Sequence, residues 1–174
     1  SSMSASDSVQ DEPEYEASRH FNPAFIALGY FGLVPFLMAL IVIVSGENKF
    51  GFLPGDFVVV DPQIFFVTYS IAILSFLAGT LWQQQFFSPH GCTQNLVLSN
   101  AVVVTAWVAL VAALASKAWI QAAVTTNMLG FLFLLARERK TMVFDPSYRR
   151  MRHQLTCLVA LMHFLLLMHL RSSH

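Results

Sequence analysis

Three histidines, His153, His163 and His169, are the residues whose type best suits a metal or a haem. Their placement argues against both. Haem held by two imidazoles draws one from each of two helices, and the four apolar segments that precede these residues contain no His. His163 and His169 are six residues apart, which puts them on different faces of a helix. The ordinary role for such residues is a His near the membrane surface. No metal site and no cofactor is expected.

Other polar side chains inside the apolar segments include Tyr69, Asn100, Thr105, Thr125, Thr126 and Asn127. No Asp, Glu, Lys or Arg lies deep in any of them. Ion-coupled transporters and proton pumps use ionisable groups within the membrane, so a pump is disfavoured. Asn100 and Asn127 are expected to bridge helices. No cluster of His, Asp or Glu gathers at one membrane face, and no catalytic residues are assigned. The two cysteines, Cys92 and Cys157, make no disulfide framework.

Charge is concentrated at two places. Six of the ten Lys and Arg lie between Arg137 and Arg152, and five acids, Asp7, Asp11, Glu12, Glu14 and Glu16, lie near the start. The basic segment falls between two apolar runs, which disfavours a nucleic-acid surface. Basic clusters beside span ends bind anionic lipid head groups, or serve topology alone. Arg149, Arg150 and Arg152, with Tyr148 alongside, are the candidate contacts to lipid head groups or a partner. Cardiolipin is one such anionic lipid.

The elements that must position these residues are membrane spans. Hydrophobic residues make up 56% of the chain and charged residues 11%, against roughly 25% charged in soluble domains. Apolar runs extend from about Ala24 to Val44, Ile64 to Trp82, Leu96 to Ala115, Ala118 to Ala136 and Leu155 to Leu170. At 1.5 Å per residue each is long enough to cross, or nearly cross, the hydrocarbon. The fold class is an all-α integral membrane bundle of five helices. Residues 1–22 form an acidic tail, flexible or ordered by a partner, and residues 23–174 the membrane domain. The opening Ser fits either a processed start or Met3 as initiator behind two extra serines.

Pro35 should kink the first span. Phe50, Phe52, Phe57 and Val58 to Val60 make the following connection too apolar for a free loop, so it is expected to lie at the interface. Ser116-Lys117 is a turn so short that spans three and four must be antiparallel neighbours. Trp82 and Trp119 fall at span ends, where amphipathic rings favour the interface. Trp107 falls mid-span and is expected to pack against another helix. Small residues supply the packing faces: Gly29 and Gly32, then Ala72, Ser75 and Gly79, then Ala122, Thr126 and Gly130. Seven Lys and Arg share a side with the N-terminus and three lie opposite, so the N-terminus is expected on the matrix or cytoplasmic side.

Leu28-Gly29-Tyr30-Phe31-Gly32-Leu33-Val34-Pro35-Phe36, Tyr69 to Trp82, and Tyr148 with Arg152 to Thr156 resemble, in order and spacing, the family called domain of unknown function 3429. The resemblance runs from Asn22 to about Val159. It departs at Ala78 and Gln83, where the family commonly has Gly. It implies a small multi-span protein of bacterial membranes and mitochondria, with no catalytic residues to carry over. The expected function is a non-catalytic accessory or scaffold subunit of a larger energy-transducing complex of the respiratory or ATP synthase class. It is expected in the mitochondrial inner membrane or, alternatively, the bacterial cytoplasmic membrane. A small transporter or a lipid-handling or assembly factor is the other reading.

Overall fold

The computed structural model describes residues 23–51, 59–87, 93–141 and 145–173. Among them are five helical segments long and apolar enough to cross a membrane. The first is broken into α1 (Pro23–Phe31) and α2 (Val34–Val44). A proline ring clashes with the carbonyl four residues earlier and removes a backbone donor. For Pro35 that residue is Phe31, where α1 ends. Leu33 N–H donates to the Tyr30 carbonyl at 3.0 Å across the break, and α2 restarts with Pro35 in its first turn.

A short antiparallel pair follows, β1 (Phe50–Gly51) with β2 (Val59–Val60), in the register Phe50 opposite Val60. Phe50 is buried, its ring 5.1 Å from that of Phe65. The expected interfacial excursion is therefore partly a hairpin, although Phe52, Phe57 and Val58 lie outside the described residues.

Helices α3 (Pro62–Phe87), α4 (Thr93–Ala115), α5 (Ile120–Thr141) and α6 (Pro146–Ser172) complete the bundle. A 3-10 turn, Lys117–Trp119, links α4 to α5, and the Ser116 hydroxyl accepts from Ala118 N–H at 3.4 Å. As expected of so short a turn, α4 and α5 pack on each other. Helix α3 touches α2, α4 and α5, while α6 touches α5, α2 and α1. The core is a continuous apolar column from Phe36 and Leu40 through Phe66, Leu74 and Leu81 to Phe131, Leu134 and Leu166.

The last helix starts earlier than its apolar content implies. Residues 146–154 were expected to belong to a basic loop, yet they are helical. Asp145 accepts from Ser147 N–H at 3.0 Å and Pro146 occupies the first turn. That is a strong start signal placed before a polar sequence.

Several packing expectations need correction. Trp107 is 58% exposed and points away from the bundle. Helix α4 instead buries Asn95, Ser99, Ala106 and Ala113, a narrow seam of small side chains. Gly79 and Ala122 are exposed, and a β-carbon at Gly79 would meet nothing within 4 Å. The buried stripe of α5 is Ala123, Asn127, Gly130 and Leu134, one position round from the expected ridge. Gly130 does pack closely: a β-carbon there would sit 3.0 Å from Leu74 and 3.2 Å from Val102.

Candidate functional site

The break between α1 and α2 leaves a concavity beside it. A cleft of about 520 Å³ lies between α1 and α2, the middle of α3 and the first half of α6. That volume falls in the range of small-molecule sites, roughly 300–1,000 Å³. Its floor includes Phe36 and Phe131, and Phe25, Leu28 and Phe76 at its rim are exposed. These rim residues lie within the apolar spans, so the opening faces sideways, toward lipid.

Gly29 lets α1 close one wall. A β-carbon there would stand 2.9 Å from Leu155 and 3.4 Å from the Met151 sulfur. The Tyr30 hydroxyl donates to Gln154 Oε1 at 2.7 Å beside this contact. Gly32 lies on the opposite edge of the break, and its carbonyl accepts the Tyr69 hydroxyl at 2.9 Å. The expected packing role of Gly29 and Gly32 thus places both on the cleft wall.

At the end of the cleft nearest the basic segment stand Tyr148, Arg152 and Thr156. Arg152 is 6% exposed, which corrects its assignment as an outward head-group contact. Its Nε donates to Glu138 Oε2 at 3.2 Å, and its Nη2 donates to Oε1 and Oε2 at 2.9 and 2.8 Å. Glu138 is itself 3% exposed. Each charge compensates the other, as a buried charge requires. Arg149 and Arg150 are exposed at the start of α6. Thr156 Oγ1 is buried and has no hydrogen-bond partner.

Three further polar links hold the frame. His163 is fully buried, not near the surface as expected. Its Nδ1 lies 2.7 Å from the Val159 carbonyl and its Nε2 2.7 Å from Ser70 Oγ. A carbonyl only accepts, so Nδ1 carries the proton and Nε2 accepts from the Ser70 hydroxyl. The rings of Phe36, Phe66 and Phe131 surround the imidazole at 5.6, 4.8 and 5.5 Å. A Ser–His pair of this kind can activate a nucleophile. This one is sealed by aromatic rings and acts as a polar link between α3 and α6. Arg137 Nε donates to Asn95 Oδ1 at 3.0 Å, joining α5 to α4 near the same membrane face. Asn127 Nδ2 reaches the Val67 carbonyl at 3.4 Å and bridges helices as expected, whereas Asn100 bonds only the Leu96 carbonyl of its own helix.

At the other face, Asp61 caps α3 by accepting from Gln63 N–H at 2.8 Å and pairs with Lys117. Burial pushes the Asp61 carboxyl up, but Lys117 and the capping N–H groups outweigh it and hold it below its ordinary value. Among the described residues no three His, Cys, Asp or Glu side chains gather as a metal site.

No curated protein and no solved structure matches the chain. A family described as "Protein of unknown function (DUF3429)" matches residues 21–168, a stretch that contains every wall of the cleft and the interhelical polar links described above. The chain is therefore a member of the DUF3429 family.

Proposed function

We propose that this is a non-catalytic, lipid-handling membrane protein that takes one chain of an anionic lipid sideways into the cleft bounded by α1, α2, α3 and α6. The observation that carries this reading is the cleft itself. It is apolar, it opens among exposed apolar side chains, and it ends beside the basic start of α6. Exposed Arg149 and Arg150 suit the phosphate of such a lipid. Cardiolipin and phosphatidylglycerol belong to this class. The mitochondrial inner membrane, or a bacterial cytoplasmic membrane, is the corresponding location. The basic ends of α5 and α6 would face the matrix or cytoplasm, on the same side as the N-terminus.

The test is purification in mild detergent followed by identification of the retained lipid. Thr80→Phe fills the cleft from α3 and should lower retention several-fold while the helices stay folded. Arg149→Gln with Arg150→Gln should reduce the anionic share of what is retained. Unchanged retention in Thr80→Phe discards the cleft as the site.

A second reading, an accessory subunit of a respiratory complex or ATP synthase, is favoured by a different surface. Val104, Trp107, Val108, Val111 and Leu114 leave one face of α4 exposed and apolar. Beside it, Ala101, Thr105, Thr126 and Gly130 line a shallow groove between α4 and α5. Small residues of this kind admit a partner helix. Identification of co-purifying subunits tests it, and a Thr105→Phe variant that keeps all of them would count against the groove.

A further inference from the structure

We propose that Thr156 reads the ester linkage of the lipid in the cleft, donating its hydroxyl to an acyl carbonyl, so that ester-linked lipids are taken in preference to ether-linked ones. This rests on the lipid-binding reading of the cleft.

The first observation is an exception within the chain. Thr68, Thr80, Thr105, Thr125, Thr126 and Thr141 each donate back to a carbonyl three or four residues earlier in their own helix. That is the habitual way a helical threonine satisfies its hydroxyl. Thr156 does not do so, although it is only 2% exposed. A buried hydroxyl without a partner is costly, and Thr156 is among the residues that line the cleft. A ligand oxygen is the partner the site lacks.

The second observation is depth. Residues 146–154 are mostly polar, and the apolar run of α6 begins at Leu155. Thr156 therefore lies at the boundary between head groups and hydrocarbon, the level of glycerolipid ester carbonyls. Arg149 lies seven residues earlier, two turns toward the head-group region on the same side of the helix. One lipid can thus meet Arg149 with its phosphate, Thr156 with its ester and the apolar walls with its chain.

The third observation concerns what else could bind a carbonyl there. Arg152 is the other strong donor on the wall, and it already makes three hydrogen bonds to Glu138. Its Nε and Nη2 are thereby committed to Glu138, while the Thr156 hydroxyl bonds nothing in the protein. An ether lacks the carbonyl acceptor, so it would leave the hydroxyl unsatisfied.

The experiment uses the full chain in detergent, stripped of endogenous lipid. Two probes are offered in competition: dioleoyl phosphatidylglycerol and its dioleyl ether analogue, with the same head and the same chain length. Native mass spectrometry reads the bound ratio. The wild-type protein should favour the ester by roughly three- to tenfold, the span of a single neutral hydrogen bond. Thr156→Val should bring the ratio to about one by weakening only the ester, and Thr156→Ser should restore the preference. Thr156→Val should keep or raise the melting temperature of the lipid-free protein, since the hydroxyl bonds nothing in the protein and its burial is costly. Equal wild-type binding of the two probes, or a preference that survives Thr156→Val, overturns the role of Thr156 and leaves the cleft reading standing. Failure of both probes to bind the wild type, or binding that Thr80→Phe does not reduce, overturns the cleft reading with it.

Discussion

The Tyr69 hydroxyl of α3 donates to the Gly32 carbonyl at 2.9 Å, at the point where Pro35 has interrupted the first span. A membrane offers no water to satisfy a backbone group released by a break. Tyr69 takes that place, and in doing so holds open one wall of the cleft. Tyr69→Phe should lower stability by about 0.5–1.5 kcal/mol. Faster amide exchange around Leu33–Leu37, with α4 unaffected, is the accompanying signature. An unchanged exchange pattern would show that the break is held by packing alone.

Gly130→Leu should destabilise the bundle by at least about 1–3 kcal/mol, the cost of overpacking. Leu74 and Val102 already stand at contact distance from its missing β-carbon. Leu132→Ala, at a position 42% exposed, should cost far less in detergent. Gly79→Ala should be nearly silent. Thermal unfolding of the three variants checks the order, and equal effects at positions 130 and 132 would contradict the packing described for α5.

Arg152→Met alone leaves the Glu138 carboxylate buried and uncompensated, and should cost about 3–5 kcal/mol. Combining it with Glu138→Leu should recover most of that loss. A double-mutant cycle on detergent unfolding measures the coupling. Additive losses would mean that the two charges act independently.

The Asp61–Lys117 link should weaken in acid. The carboxyl is held below its ordinary value in the folded protein, so its contribution is present above that ordinary value and is lost as pH falls through the folded one. Exchange at the start of α3 should therefore rise only at strongly acidic pH, and Asp61→Asn should abolish that acid dependence. Acid-induced opening that persists in Asp61→Asn would assign it elsewhere.

Five spans put Ser116 and Ser147 on opposite faces of the membrane. With Cys92 and Cys157 replaced by Ser, single Ser116→Cys and Ser147→Cys variants should be labelled by an impermeant thiol reagent from opposite sides of sealed vesicles. Labelling of both from one side would break the alternation.

Local chemistry was legible in the sequence, and rotation about a helix axis was not. Pro35 announces its break because a ring without a donor acts on its own helix. The turn at Ser116-Lys117 announces a neighbour because two residues leave the chain nowhere else to go. Trp107 misleads, since its position along a span says nothing about which way it points. The small seam of α4 is hidden among valines that share its spacing. Glu138 and Arg152 are 14 residues apart in a run of charges read as surface, so their burial together becomes apparent only when α6 starts at Pro146. Thr156 carries no signal of its own, because a threonine in a helix ordinarily bonds its own backbone.

The Glu138–Arg152 pair also bears on how the chain enters its membrane. A lone carboxylate or guanidinium passing into hydrocarbon is penalised by a few kcal/mol, less near the ends of a span. Here the two charges belong to consecutive helices and neutralise each other. The last two spans are consequently cheapest to insert as a single hairpin. A nascent chain cut after α5 carries this acid without the Arg152 partner that buries with it, so the penultimate span should settle only once the final one has been synthesised.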